Sequence, residues 1–218
     1  MTSALRLREP ASAITHFIAM LLAIVGLVPA IMKALTNLNT TGVWAVTIFM
    51  CSMILLYASS ATYHGINIGG KVLEYFKKLD HMMIFVLIAG TYTPVCLLVL
   101  DGWAGKGLLI AVWALAAIGI AIKALWINCP KWFSSVIYIG MGWTCLACFK
   151  QILAALETKA FIWLLIGGII YTLGGIVYSL KIPGFDEKHK NFNTHDIFHL
   201  FVMGGSLCHF VFIYFFVI

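Results

Sequence analysis

Charged residues are scarce in this sequence. Only 10% of its 218 residues are Asp, Glu, Lys or Arg, whereas 62% are hydrophobic and the mean hydropathy is +1.01. A soluble domain carries about 25% charged residues, because its surface must stay hydrated. The low charge content therefore excludes an ordinary soluble enzyme and a disordered protein.

Several other signatures are also missing. The six cysteines are scattered, with neither zinc-ribbon spacing nor a disulfide framework. The sequence has no glycine-rich nucleotide-binding motif and no serine-hydrolase elbow. Its apolar runs are long and continuous, whereas a membrane β-barrel would show short alternating strands. The remaining fold class is an all-α, polytopic membrane protein.

Seven apolar stretches are long enough to cross a bilayer as helices, which takes about 20 residues each. These stretches fill most of the chain and leave only short loops, so consecutive helices should be antiparallel neighbours in one domain over residues 1–218. The predicted spans are residues 12–33, 43–64, 81–100, 106–126, 133–153, 160–181 and 195–218.

Lysine and arginine set the predicted orientation in the cell membrane. With a cytoplasmic N-terminus, ten of the 14 Lys and Arg residues lie on the cytoplasmic side and four lie outside. The positive-inside rule therefore predicts a cytoplasmic N-terminus and an external C-terminus. The net charge of +6 then comes from a rim of basic residues that faces anionic lipid. Nucleic acid is not an expected partner, because no motif supports it.

Histidines are the most informative ionisable residues. His195 and His199 are four residues apart at the start of the last span, so they share one helix face. His64 ends the second span at the same predicted depth, and three neutral imidazoles can hold a tetrahedral zinc with one position open for water. Ser60 shares a helix face with His64. Asp80 lies at a similar depth, where it could accept a proton from the bound water.

Simpler interpretations of the histidines stay open. An i,i+4 histidine pair also arises by chance. His81 fits a polar residue at a helix start better than a ligand, and His16 is open to both interpretations. His209 lies 14 residues past His195, about 21 Å along the helix, so we expect it to form hydrogen bonds within the bundle and not to join the metal site.

The order and spacing of several motifs resemble those of the bacterial hemolysin III family, a group that includes the adiponectin and progestin receptors. The resemblance runs from Glu9 to Tyr214. The residues that carry it are Glu9, Thr15-His16, Ser59-Ser60-Ala61-Thr62-Tyr63-His64, Leu79-Asp80-His81, Ala89-Gly90-Thr91-Tyr92-Thr93-Pro94, Met141-Gly142-Trp143, Gly167-Gly168, Tyr171, His195-Asp196-Ile197-Phe198-His199 and Cys208-His209-Phe210.

The resemblance implies a seven-helix, receptor-like bundle with a zinc ion near its cytoplasmic face. It implies that His64, His195 and His199 hold the metal. It also implies that Asp80 holds the metal-bound water and that Ser60 is the serine of the Ser-x3-His element. The wider superfamily includes ceramide-cleaving enzymes, which points to a lipid amide or ester as substrate. The long terminal segments of the animal receptors are not seen in this sequence, so hormone binding is not expected.

Three functions stay open from the sequence, and membrane lipids are the expected partners. The leading hypothesis is zinc-dependent hydrolysis of a lipid at the cytoplasmic leaflet, with Asp80 as general base and Ser60 as a hydrogen-bond donor. The second is a non-enzymatic lipid-sensing or lipid-homeostasis protein in which the metal only joins two helices. The third is a pore-forming hemolysin that causes cytolysis, although a pore needs polar groups through its full depth.

Overall fold

Seven long helices make up most of the chain in the computed structural model, which describes residues 7–180, 184–189 and 192–218. Each helix is long and apolar enough to cross a membrane, and the described residues contain no strand. The predicted all-α, seven-helix architecture is thus confirmed. We number the helices α1 to α7 in chain order: Pro10–Asn37, Thr40–Gly65, Gly70–Val99, Gly102–Leu125, Lys131–Ala155, Thr158–Leu180 and Thr194–Val217.

The largest difference from the predicted spans is at the start of α3. The prediction begins this helix at His81, whereas it begins at Gly70. The added segment is helical but mixes charged residues with apolar ones, and it contains an i,i+4 ion pair of 3.1 Å between Lys78 Nζ and Glu74 Oε1. A hydropathy pattern does not detect a segment of this kind. Asp80 therefore lies about three turns inside the helix, not at its start.

A few sequence predictions concern residues outside the described part of the chain. Arg6, Lys181 and Lys190 contributed to the predicted orientation, and residue 181 ends the predicted sixth span. The orientation of the bundle stays a prediction. Below, the "site end" is the end of the bundle at which α1, α3, α5 and α7 begin.

Small residues let the helices pack closely. The helices α1 to α4 contact one another in sequence, α5 contacts α3 and α6, and α7 contacts α6 and α1. Gly119 of α4 lies directly against Phe85 of α3, since a Cβ atom added at Gly119 would be 2.3 Å from that ring. Close packing of this kind drives helix association in lipid, where burial of apolar side chains gives little gain. The core face of α1 is a row of alanines, Ala19, Ala23, Ala30 and Ala34.

Two helices depart from regular α-geometry, α3 in its last turn and α5 near its middle. After Pro94, α3 continues as the π-helical turn Val95–Val99, consistent with the hydrogen bond that a proline removes. The helix α5 changes to a 3-10 turn over Thr144–Cys148. At this break, the Tyr92 hydroxyl donates to the Gly142 carbonyl (2.6 Å) and accepts from the Cys145 N–H (2.9 Å). A side chain from α3 thus satisfies backbone groups that the break in α5 leaves free.

Candidate metal centre

Three imidazoles from two helices meet at the site end of the bundle. His64 lies in the last turn of α2, and His195 and His199 lie in the first turns of α7. The Nε2 atom of His195 is 3.3 Å from Nε2 of His64 and 3.2 Å from Nε2 of His199. One nitrogen from each ring lies within 4.8 Å of the other two. Nitrogen ligands of a tetrahedral zinc are about 3.3 Å apart, so this donor set and its spacing fit a zinc ion.

Glu9 fixes the orientation of His64. The segment before α1 bonds to the end of α2, where the Glu9 N–H donates to the His64 carbonyl (3.0 Å). The Glu9 carboxylate accepts a hydrogen bond from Nδ1 of His64. Since Nδ1 then carries the proton, Nε2 keeps a lone pair for a metal, as in the carboxylate–histidine pairs of zinc sites. This hydrogen bond lowers the pKa of Glu9 by more than partial burial raises it, so the carboxylate stays ionised.

A capping box fixes the first turn of α7, which carries the other two imidazoles. The Asn193 side-chain oxygen accepts from the His195 N–H (2.8 Å), and the Asp196 carboxylate accepts from the Asn193 N–H (2.7 Å). Asp196 also accepts a hydrogen bond from the Ser12 hydroxyl of α1. This carboxylate therefore joins the start of α7 to α1.

Asp80 and Ser60 lie beside the imidazole cluster, which is formed by His64, His195 and His199. Both line a small cavity together with His195 and His199, and they are 6% and 1% exposed. The volume of this cavity that is open to the centre of a water molecule is about 20 Å³, which is enough for one ordered water. The structure thus brings all five predicted site residues to one end of the bundle. Their chemical roles stay predictions.

His16 is a further member of the site that sequence reasoning left without a role. It lies on α1, is 3% exposed and lines the small cavity. Its ring stacks on His199, with centroids 3.7 Å apart and planes 12° apart. Among the described residues, neither of its ring nitrogens makes a hydrogen bond of ordinary geometry. The sequence feature that could have pointed to His16 is its predicted depth in the membrane, which is the same as that of His64.

His81 lies outside the imidazole cluster. Its Nδ1–H donates to the Lys77 carbonyl (2.9 Å), and its Nε2 is 3.5 Å from the Tyr178 hydroxyl. The Asp80 carboxylate lies 3.5 Å from Nδ1 of the same ring. Both ring nitrogens thus interact within the bundle. His81 therefore lies between the Asp80 carboxylate and α6.

The prediction for His209 is wrong in one respect. This residue lies far from the metal centre, as expected, but its ring nitrogen Nδ1 makes no hydrogen bond to any described residue. The ring instead stacks on Tyr171 of α6, with centroids 5.4 Å apart and planes 18° apart. A sequence pattern does not show which neighbouring helix faces a buried histidine, so the missing partner could not be foreseen.

A large apolar cavity adjoins the small one. It lies among α2, α3, α5, α6 and α7. Its volume open to the centre of a water molecule is about 170 Å³. The break in α5 contributes Gly142 and Cys145 to its wall. An apolar space in the bundle interior therefore lies directly beside the small cavity. Residues that line both cavities are Leu56, Ile84, Tyr138, Tyr178, Phe198 and Val202.

Comparison with known proteins agrees with this architecture. Residues 5–210 match the family described as Haemolysin-III related. The chain is 40% identical over 198 residues to the Hemolysin-3 homolog of Bacillus subtilis, covering 91% of this chain and 89% of that protein. It is 39% identical over 211 residues to Hemolysin-3 of Bacillus cereus, covering 96% and 92%.

A more distant relative is eukaryotic. The chain is 24% identical over 209 residues to the ADIPOR-like receptor IZH2 of Saccharomyces cerevisiae, covering 80% of this chain and 63% of that protein. Seven apolar helices and close relatives in Bacillus fit a multi-pass protein of a bacterial membrane. The match over nearly the whole chain shows that this protein belongs to the haemolysin-III related family.

Proposed function

We propose that this protein is a zinc-dependent hydrolase that cleaves an amide or ester bond of a membrane lipid. The observation that carries the proposal is the convergence of three imidazoles, with Nε2 atoms 3.2 and 3.3 Å apart, beside a cavity with room for a water. Structural zinc sites are closed by four protein ligands, whereas catalytic sites have three and keep one position open. The arrangement therefore favours catalysis.

His64, His195 and His199 would hold the metal, and their three nitrogen donors favour zinc over magnesium or calcium. When bound, zinc lowers the pKa of a coordinated water to about 7 and polarises a carbonyl group. Glu9 contributes by keeping Nε2 of His64 unprotonated, through its hydrogen bond to Nδ1. The capping box at Asn193 contributes by fixing the helix turn that presents the other two rings.

Asp80 and Ser60 supply the proton chemistry in this proposal. The Asp80 carboxylate lines the small cavity, so it is placed to take a proton from a water held there, as a general base does. Ser60 lies one turn before His64 on α2 and is placed to donate a hydrogen bond to that water or to the oxyanion that forms. Both side chains are almost completely buried, which strengthens their electrostatic interactions with a reacting group.

The large apolar cavity would take the acyl chain of the lipid. Its wall is formed mainly by aliphatic and aromatic side chains, which match a hydrocarbon chain and exclude water. With the chain in this cavity, the bond next to the head group would lie at the imidazole cluster. The distribution of lysine and arginine predicts that this end of the bundle faces the cytoplasmic leaflet.

Release of free fatty acid tests the proposed activity. The purified protein should be screened against ceramides, phospholipids and acyl amides in mixed micelles. We expect release from one of these classes, loss of release on chelation and recovery on adding zinc. His195→Ala should abolish release, and His189→Ala is the matched control because that side chain is exposed outside the cluster. Release that persists in His195→Ala would contradict the proposal.

A second candidate is a lipid sensor in which the metal has a structural role. The imidazole cluster joins the end of α2 to the start of α7, and Glu9 adds the segment before α1. A metal there would fix three parts of the bundle that are distant in sequence. This alternative requires a fourth protein ligand, for which the sequence offers Asp80 or His81. With Asp80 as that ligand, it predicts that Asp80→Asn weakens zinc binding, whereas the hydrolase predicts retained zinc and lost activity.

A further inference from the structure

His209 is a polar residue in the apolar part of the large cavity. It lies ten residues after His199 on α7, about 15 Å farther from the site end. Its side chain lines the cavity and is 6% exposed. Its Nδ1 atom is buried and has no hydrogen-bond partner in the described part of the chain. A polar group that is buried without a partner is costly in hydrocarbon, so it marks a place where a ligand can supply one.

The neighbours of His209 hold its ring in position. Tyr171 of α6 stacks on the ring, and the Tyr171 hydroxyl lies 2.7 Å from Ser206 Oγ. Ser206 also accepts a hydrogen bond of 2.7 Å from the Tyr57 hydroxyl of α2. One turn before Tyr171 on α6, Gly167 leaves the space that the imidazole needs, since an added Cβ atom would be 2.8 Å from His209 Nε2. Residues of α6 therefore hold this imidazole in position, and Tyr57 of α2 bonds to the same part of α7 through Ser206.

Other polar side chains along the same cavity already have partners. The Thr91 hydroxyl donates to the Leu87 carbonyl (2.8 Å), and the Thr172 hydroxyl donates to the Gly168 carbonyl (2.7 Å). Ser135 Oγ has no partner among the described residues, but it lies near the start of α5, at the site end of the cavity. His209 is therefore the group available for a hydrogen bond at the far end.

We propose that His209 binds a hydrogen-bonding group, such as a hydroxyl, in the distal part of a lipid acyl chain. The inference rests on the proposed function in one respect, which is that the large cavity takes an acyl chain. A neutral imidazole has one donor and one acceptor nitrogen, so it can bond to a hydroxyl in either sense. The cavity would then select lipids with hydroxylated chains over lipids with plain chains.

Equilibrium binding of fatty acids tests this selectivity without requiring turnover. The probes are palmitate, ω-hydroxypalmitate and isomers in which the hydroxyl moves stepwise toward the carboxylate. Binding to the full-length protein in nanodiscs is measured by displacement of a fluorescent fatty acid. We expect at least one hydroxylated probe to bind about three- to tenfold more tightly than palmitate, the gain of one neutral hydrogen bond.

Variants of the chain assign the preference to His209. His209→Phe keeps a ring for Tyr171 to stack on and should abolish the preference while palmitate still binds. His209→Gln keeps a donor and an acceptor and should retain part of the preference. Ser135→Ala removes the hydroxyl without a described partner at the site end of the cavity and should leave the preference unchanged.

The outcomes separate this inference from the proposed function. Palmitate that binds as tightly as every hydroxylated probe overturns the selectivity and leaves the hydrolase proposal standing. A preference that persists in His209→Phe overturns the assignment to His209. If no fatty acid binds at all, both proposals fail, because both require an acyl chain in this cavity. Should His209→Phe not fold, the wild-type comparison and His209→Gln decide.

Discussion

Removal of the Glu9 carboxylate should weaken zinc binding although Glu9 is not a predicted ligand. In the structure this carboxylate accepts a hydrogen bond from Nδ1 of His64, which leaves Nε2 free for the metal. Without it, His64 can rotate or adopt the tautomer that protonates Nε2. Loss of such a partner lowers metal affinity about 10- to 100-fold, or about 1.4 to 2.8 kcal/mol. We therefore expect a drop of this size in Glu9→Ala.

The measurement is a competition titration of zinc between the purified protein and a chelating indicator. Glu9→Gln should lose less affinity than Glu9→Ala, because the amide oxygen still accepts from Nδ1–H. Glu74→Ala is the matched control. It removes an exposed carboxylate that pairs with Lys78 at 3.1 Å, away from the imidazole cluster, and should leave zinc affinity unchanged. Equal zinc affinity in Glu9→Ala and the wild type would refute this reasoning.

Three other predictions follow from the site and the packing. Asp80→Asn should keep bound zinc but lower fatty acid release at least about 100-fold, since it removes the proposed general base; unchanged release would contradict that role. Gly119→Ala should lower the free energy of unfolding by about 1–3 kcal/mol because the added methyl group meets Phe85, whereas Gly107→Ala on the same helix has nothing within 4 Å and should be nearly neutral in a denaturation assay. Liposomes containing the protein should retain a trapped polar dye, because the large cavity is apolar; leakage that persists after zinc removal would favour a pore.

The fold was largely predictable because a membrane leaves few choices. A chain that crosses lipid must satisfy its backbone hydrogen bonds internally, so long apolar runs become helices. The start of α3 was missed because the segment from Gly70 to Leu79 is helical without being apolar. The π-helical turn after Pro94 and the break in α5 were not predicted either. They depend on local backbone geometry and on the Tyr92 side chain of another helix.

The candidate ligands were accessible from sequence because helix geometry is regular. Spacing places His195 and His199 on one face, and helix alternation places His64 at the same end of the bundle. Glu9 and His16 were left without roles for a different reason. Their positions depend on how the segment before α1 bonds to α2 and on how α1 packs against α7, which are tertiary contacts. The missing partner of His209 likewise depends on which residues face it from α6.

The most direct test locates the metal. Crystals or nanodisc samples of the protein should be analysed for bound metal, and anomalous diffraction at the zinc edge should place it. We predict one zinc ion per chain, in contact with Nε2 of His64, His195 and His199, and loss of that zinc when all three are changed to alanine. Unchanged zinc stoichiometry in the triple variant, or an ion located away from these rings, would contradict the account.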